Sequence, residues 1–245
     1  MATTETHSGE YGYDAPYALI VFSALSVLGL GSAIAARVNE APATAPALFY
    51  TFFFGGHAAS FYYTTRHGKF LEWHRILDTL ALRGDEQVLD LGCGRGAVLN
   101  AVAKRLTTGQ VTGVDLWRSI DQSGNSPDAT LVNARAEGVA ARIRLETGDL
   151  RKLPFPDASF DVVVSSLAIH NIPKDEDRAT AIREAMRVLR PGGRLVIADI
   201  RATRLYATTP AALGAEAVSR TRLGWRFWWG NPVAATSLLT ARKPA

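Results

Sequence analysis

Residues 88–96 read VLDLGCGRG, an apolar run with an acid inside it that breaks into three glycines within five positions. A strand ending this way turns sharply and bares its backbone, as parallel-sheet proteins do where main chain meets a ligand. The text around it keeps one rhythm. FLEWHRILDTLAL has helical spacing and leads into the strand QVLDL. RGAVLNAVAKRL reads as a helix, QVTGVD as a strand, DATLVNARAEG as a helix and RIRLETG as a strand. DVVVSSLA is an apolar strand, DRATAIREAMRVLR a helix stopped by Pro191-Gly192-Gly193, and RLVIADI a further strand. Strands alternating with helices predict an α/β fold, a parallel sheet wound on both faces with ligands at the carboxyl ends of the strands. The tail departs from this rhythm. SRTRLGWRFWW and ATSLLTARK, around Gly230-Asn231-Pro232, predict an antiparallel hairpin at one sheet edge. Residues 201–214 leave room for one short helix.

The glycines and the acids near them select the ligand. A dinucleotide fingerprint needs G-x-G-x-x-G and a phosphate loop ends in Gly-Lys-Ser/Thr; Gly92, Gly94 and Gly96 fit neither spacing. Asp90, two residues before the first glycine, would repel a pyrophosphate but attract a cation and its ammonium group. Asp115 closes the next strand, where its two oxygens can accept from both hydroxyls of a ribose. Asp149 follows a third strand, placed to accept from an exocyclic amine. A single ligand with an ammonium, a positive sulfur, a ribose diol and an adenine amine answers all three acids: S-adenosylmethionine. Each residue also has a plainer reading. Glycines after a strand make tight turns, a lone aspartate caps a helix, and Trp117 is a candidate core residue.

The stretches VLDLGCGRG, VTGVD, GDLRKLPFPDASFDVVVSSLAIHNI, RVLRPGGRLVIADI and a closing TARKP resemble the class I S-adenosylmethionine-dependent methyltransferases over roughly residues 70–245. Within that superfamily they look most like the small-molecule branch with the quinone and sterol methyltransferases. The resemblance implies a Rossmann-like seven-stranded sheet whose last strand is antiparallel. It also implies that Asp90, Gly92, Gly94 and Gly96 line the methionine end of the cofactor. Asp115 would take the ribose, with Leu116 and Trp117 beside the adenine, and Asp149 and Leu150 would hold its edge. Cys93, Gly148 and Ser165 complete the expected cofactor contacts, Cys93 through backbone and a small side chain. Substrate cover in this superfamily comes from residues before the first strand and from inserts. Inserts are short here, so the cover is expected near Phe70 and Trp73 and from GWRFWWGNP.

Methyl transfer from a sulfonium is an in-line displacement that depends chiefly on alignment, and a base is needed only where the attacking atom loses a proton. SSLAIHNIP, after the fourth strand, offers His170 as that base and Asn171 to orient an acceptor. Alternatively, His170 begins the next helix and packs against it. SSLA is not the Asn/Asp-Pro-Pro-aromatic motif of enzymes acting on nucleobase or glutamine amines.

Charge is distributed unevenly. No Asp, Glu, Lys or Arg lies between Asp14 and Arg37, or between Glu40 and Arg66. Each gap is long enough for a membrane-crossing helix of roughly 17–25 residues. Gly29, Gly31, Ser23, Ser26 and Ser32 give the first segment a small-residue face suited to helix packing, and aromatic clusters at both ends of the second suit an interfacial belt. No basic region precedes the first segment, so a cleaved secretory signal is not expected. Three units follow: a polar tail (1–15), two apolar helices forming a membrane hairpin (16–66), and a methyltransferase domain (67–245). The helices could instead cap the domain or form a homodimer interface, or one could span while the other lies in the interface. His57, within the second segment, is expected to pack or to lie near a headgroup.

Residues 67–245 carry 25 basic against 19 acidic side chains, a net +6 that suits an anionic membrane face better than a nucleic-acid groove. Aromatics among Arg220, Arg222 and Arg226 suit an interfacial dock or an amphipathic edge strand. The single cysteine, Cys93, excludes an intrachain disulfide. The expected protein is a membrane-associated methyltransferase, its catalytic domain on the cytoplasmic side. It would act on a small lipophilic acceptor (quinone, lipid amine, phenol or thiol), with membrane lipid and no nucleic acid as partner. The rivals are a soluble-metabolite methyltransferase whose helices dimerise and a membrane-anchored scaffold without activity.

Overall fold

In the computed structural model, which describes residues 7–245, seven strands form one sheet. Residues 1–6 of the expected polar tail lie outside the described residues. The strands are β1 (Gln87–Leu91), β2 (Gln110–Asp115), β3 (Ile143–Thr147), β4 (Phe160–Ser166), β5 (Leu189–Asp199), β6 (Glu216–Arg222) and β7 (Ser237–Arg242), in the order β3-β2-β1-β4-β5-β7-β6. β1 to β5 are parallel, and β7 runs antiparallel to both of its neighbours. The order reverses at β1, whose Asp90 lies in register with Gly113 of β2 and Val164 of β4.

Period-two alternation divides the core into two layers. Val88, Val111, Val162, Val164 and Val196 pack under α3 (Lys69–Leu80), α4 (Ala97–Ala103) and α5 (Pro127–Ala136). Leu89, Leu91, Val163, Leu195 and Ile197 pack under α6 (Asp175–Val188) and α7 (Thr203–Ala212). By the same alternation Asp90 faces the first layer, next to α4. Ser126 caps α5 by accepting from the Ala129 N–H, and Pro127 opens its first turn. Asp175, Glu176 and Asp177 at the start of α6 and Arg187 in its last turn complement the helix dipole.

Three expectations need correction. α6 ends at Val188, and β5 already begins at Leu189, so Pro191-Gly192-Gly193 lies inside the strand. The pairing with β4 breaks register between Phe160 and Val162, which accommodates a proline without a ladder donor. In the tail, β6 starts and ends earlier than expected. GWRFWWGNP is not extended; the β6–β7 connection holds short 3₁₀ turns at Trp225–Phe227 and Pro232–Ala234.

The third correction concerns the amino-terminal segments. Both are helices, α1 (Pro16–Val38) and α2 (Thr44–Tyr63), packed antiparallel. A Cβ on Gly29 would come within 2.8 Å of Thr51 Oγ1, and Ser26 Oγ donates to the Thr51 carbonyl at 2.9 Å. Gly31 meets nothing within 4 Å and has no part in the contact. Among the described residues only α1 is long and apolar enough to cross a membrane; α2 carries Thr44, Thr51, Gly55, Gly56, His57 and Ser60 and is not. Only 6% of the apolar window of α1 is buried, unlike a core helix. A π turn, Thr64–Gly68, carries α2 into α3, whose Trp73, Ile76 and Leu77 enter the core.

Residues 9–14 lie against the α/β body. The Gly9 N–H and the Tyr11 hydroxyl donate to Glu137, the Glu10 N–H donates to Asn133, and the Tyr13 N–H donates to Ser123. Asp14 accepts from Lys69 Nζ at 2.6 Å and from Gln122 Nε2 at 3.2 Å. This part of the tail is a strap joining the first apolar helix to the sheet.

Candidate active site

A cavity of about 1020 Å³ opens at the carboxyl ends of β1, β2 and β4. It is lined by Asp90, Gly92, Cys93, Gly94, Asp115, Leu116, Gly148, Asp149, Leu150, His170 and Asn171. Three expected members lie elsewhere. Gly96 caps α4 in a left-handed conformation, Trp117 donates from Nε1 to Thr147 Oγ1 at 2.9 Å and packs against the core, and Ser165 is buried with its hydroxyl on the Leu91 carbonyl. The next residue, Ser166, does face the cavity and accepts from Trp73 Nε1 at 2.8 Å.

The backbone of the glycine turn is satisfied from within. The Gly92 and Cys93 N–H groups donate to the Val114 carbonyl, that of Gly94 to Asp115 Oδ2, that of Arg95 to Gln122 Oε1 and that of Gly96 to the Cys93 carbonyl. No amide in this run is left for a phosphate, which binds such turns through free N–H groups. Gly92 (φ +70) has no room for a side chain, since a Cβ would collide with that of Ala168.

Asp90 is 1% exposed, and neither carboxylate oxygen has a hydrogen-bond partner among side chains. Burial, reinforced by the nearby Asp115 charge, pushes its pKa up to about 8. Burial and the same two carboxylates push the Cys93 thiol up, so Cys93 is an inert lining group. Asp115 Oδ1 accepts from the Trp117 N–H at 2.6 Å and from Asn125 Nδ2 at 3.3 Å, while Oδ2 accepts only from Gly94. With two lone pairs per oxygen, the open position is at Oδ2 alone, not at both oxygens as a symmetric diol grip requires. Asp149 is engaged by the Arg151 guanidinium through both oxygens, which holds its carboxyl below the usual range. It reaches an exocyclic amine only if the half-exposed Arg151 swings aside.

His170 does not begin a long helix; it stands in a 3₁₀ turn, Ile169–Asn171, at the cavity wall. Its Nδ1 lies 2.6 Å from Asp199 Oδ1, and its backbone N–H donates to Asp199 Oδ2 at 3.1 Å. Asp199 is fully buried at the end of β5 and also accepts from the Ile200 N–H. An acceptor-only carboxylate assigns the proton to Nδ1 and leaves Nε2 with the lone pair. Asp199 was not among the expected site residues, although RLVIADI ends in an acid just as VTGVD does. Gln122 and Asn125, from the loop RSIDQSGNSP, carry no comparable signal; tertiary contacts alone bring them to the glycine turn.

Residues 89–197 match the model of a family described as a methyltransferase domain. The matched stretch runs from β1 to β5 and contains the glycine turn, Asp115, Asp149 and His170. Among curated proteins, the chain is 38% identical over 145 residues to the 27-O-demethylrifamycin SV methyltransferase of Amycolatopsis mediterranei (strain S699), covering 58% of this chain and 47% of that one. It is 36% identical over 124 residues to the ubiquinone/menaquinone biosynthesis C-methyltransferase UbiE of Roseobacter denitrificans (strain ATCC 33942 / OCh 114), covering 51% and 46%. The chain thus spans about half the length of the curated relatives it matches. Among solved structures, the [4+2]-cyclase SpnF superposes with a TM-score of 0.57 at 22% identity over 70% of this chain and 82% of that one. A geranyl diphosphate methyltransferase solved with geranyl diphosphate and sinefungin gives 0.56 at 16% over 71% and 78%. At these identities the structural likeness establishes the fold.

The cavity fits S-adenosylmethionine on its own geometry. An unpartnered buried carboxylate suits an ammonium or a sulfonium, and the internally satisfied glycine turn disfavours a phosphate-bearing nucleotide. Among the described residues no group of three or more His, Cys, Asp or Glu is arranged to hold a metal ion.

Proposed function

We propose that the chain is a membrane-associated methyltransferase that methylates a small lipophilic acceptor, with residues 16–66 as the membrane segment and 67–245 as the catalytic body. When bound, S-adenosylmethionine supplies a methyl group on a good, neutral leaving group. Asp90 anchors its positive end, Asp115 Oδ2 takes a ribose hydroxyl, and Leu116 and Leu150 flank the adenine. His170 Nε2 receives the proton that an O–H, N–H or acidic C–H acceptor loses as it is methylated. Asp199 fixes the tautomer and orientation of that imidazole, and Asn171 orients the acceptor.

One observation carries this reading. The cavity that holds Asp90 and His170 is also walled by Tyr17, Ala18 and Phe61, at the base of the two apolar helices. Phe70, Trp73 and Trp229 line it too, so the cover comes from the amino terminus and the β6–β7 connection. An acceptor resident in lipid would reach His170 through this apolar wall. Quinone and geranyl diphosphate acceptors, in the names of the relatives, belong to that chemical class. The catalytic body would then face the cytoplasm, where the cofactor is made.

SpnF, a cyclase by name, shares the fold, so turnover has to be demonstrated. The test is transfer of an isotopically labelled methyl group from S-adenosylmethionine into lipid and metabolite extracts by the full chain. Label in a lipid-phase product supports the reading. Label confined to water-soluble products overturns the lipophilic acceptor, and cofactor binding without any labelled product overturns the enzyme.

A further inference from the structure

We propose that the β6–β7 connection, residues 223–236, is an interfacial anchor that lies in the headgroup layer of an anionic membrane and fixes the depth of the catalytic body. The inference rests on the membrane reading of α1 and α2 and adds to it the part of the body that touches lipid.

Length sets the depth. α1 has 23 residues, hence roughly 34 Å of helix against a hydrocarbon core of ~30 Å, and α2 packs antiparallel along it. The far end of the pair carries Arg37 and Glu40, the near end Asp14, Arg66 and Lys69. Charges do not rest in the hydrocarbon, so both ends are pinned to headgroup layers with almost no slack.

The connection is fastened to that near end. Thr64 Oγ1 donates to the Trp228 carbonyl at 2.5 Å, and Gly68 has no Cβ where the Arg226 carbonyl approaches. Tyr63 and Trp225 stack with centroids 5.2 Å apart, and Phe61 and Trp229 meet edge-on at 5.0 Å. Where the base of the helix pair goes, the connection must follow.

Its surface suits that layer. A groove of about 380 Å³ runs between α2 and the connection, lined by His57, Ser60, Tyr63, Trp225, Trp228 and Pro232. His57 lies six residues before Tyr63, roughly 9 Å up the helix, so the groove spans an interfacial thickness. Val233 at the tip is 92% exposed, and Trp225 stays 55% exposed beside Tyr63, so both present apolar surface outward. The Arg226 guanidinium lies over the Trp225 ring at 5.3 Å, 3.8 Å from Glu72, and Arg66 lies over Tyr13. Tryptophans with flanking arginines at one level match the aromatic and cationic complement of an anionic headgroup layer.

The test uses the full chain reconstituted in phosphatidylcholine–phosphatidylglycerol vesicles with nitroxide quenchers placed near the headgroup or at the acyl-chain end. Flotation and tryptophan emission are read together. The shallow quencher should dim the emission more than the deep one. Trp225→Phe/Trp228→Phe should lose most of that quenching while still floating and still binding S-adenosylmethionine, and Val233→Asp should lower it as well. A floating chain with no quenching, or equal quenching in the double variant, overturns the anchor and leaves the membrane helices standing. A chain that does not float overturns both. Emission that responds to protein concentration and not to either quencher makes the surface an interface between two copies and overturns the anchor.

Discussion

Asp90 is where residue chemistry bears most directly on function. Its proton is held in the fold to about pH 8 but leaves the unfolded chain near the ordinary 3.8. Between those values the folded state binds more protons, so the ligand-free protein should lose stability as pH rises through that window. Asp90→Asn removes this opposition and should raise the unfolding free energy at neutral pH by on the order of a few kcal/mol, read as a higher melting temperature. The same change should abolish S-adenosylmethionine binding by calorimetry, since the cation loses its counter-charge. In the unaltered protein, binding at pH 7 should release about one proton, visible as a buffer-dependent heat, and affinity should strengthen as pH approaches 8. Unchanged affinity in Asp90→Asn would show that the carboxylate is not the anchor.

His170 and Asp199 make a second prediction at this scale. His170→Gln should lower kcat by roughly 10²-fold or more on an acceptor that loses a proton. Asp199→Asn should lower kcat in the same direction while S-adenosylmethionine affinity stays unchanged. A loss of affinity equal to the loss of kcat would make Asp199 a structural residue only.

The β1–α4 turn, the proposed cofactor-binding element, is held by another element. Gln122 accepts from the Arg95 N–H and donates to the Tyr11 carbonyl and to Asp14, so one side chain ties the glycine turn to the strap. Gln122→Ala strands a backbone donor and should cost about 1–3 kcal/mol, with weaker cofactor binding by calorimetry. Gly92→Ala forces a left-handed alanine whose Cβ meets Ala168 and should cost roughly 2–5 kcal/mol, read from denaturant unfolding. The strap also explains why deletion of residues 1–66 is a poor test of the membrane segment: it would remove Tyr11 and Asp14 from the body and Phe61 from the cavity.

At the scale of the whole molecule, an α/β body carries two helices whose outward faces are apolar and unburied. Val27 and Leu28 of α1 are 68% and 66% exposed and contact neither the strap nor the cavity. Val27→Lys/Leu28→Lys should therefore leave cofactor binding intact. In a membrane each lysine costs roughly 2.5–3.5 kcal/mol at the helix centre, so the variant should leave the membrane fraction on flotation. Membrane association unaffected by both charges would place the hydrophobic face against protein.

Period and composition made much of this protein legible. The alternating strands and helices, the closing antiparallel strand and the acids at the ends of β1, β2 and β3 are local patterns, because side-chain direction repeats every two or 3.6 residues wherever the chain folds. What the chain could not show locally was who meets whom. Trp117 turned to the core, Ser165 gave its place to Ser166, and GWRFWWGNP followed a helix base instead of extending as a strand. Asp199 and His170, 29 residues apart, become partners only because β4 and β5 lie side by side. Hydrogen bonds and buried charges depend on distances between segments remote in sequence. Those distances exist only once the sheet has closed, so the sequence determined the ligand's charge and the tertiary structure decided which groups are free to answer it.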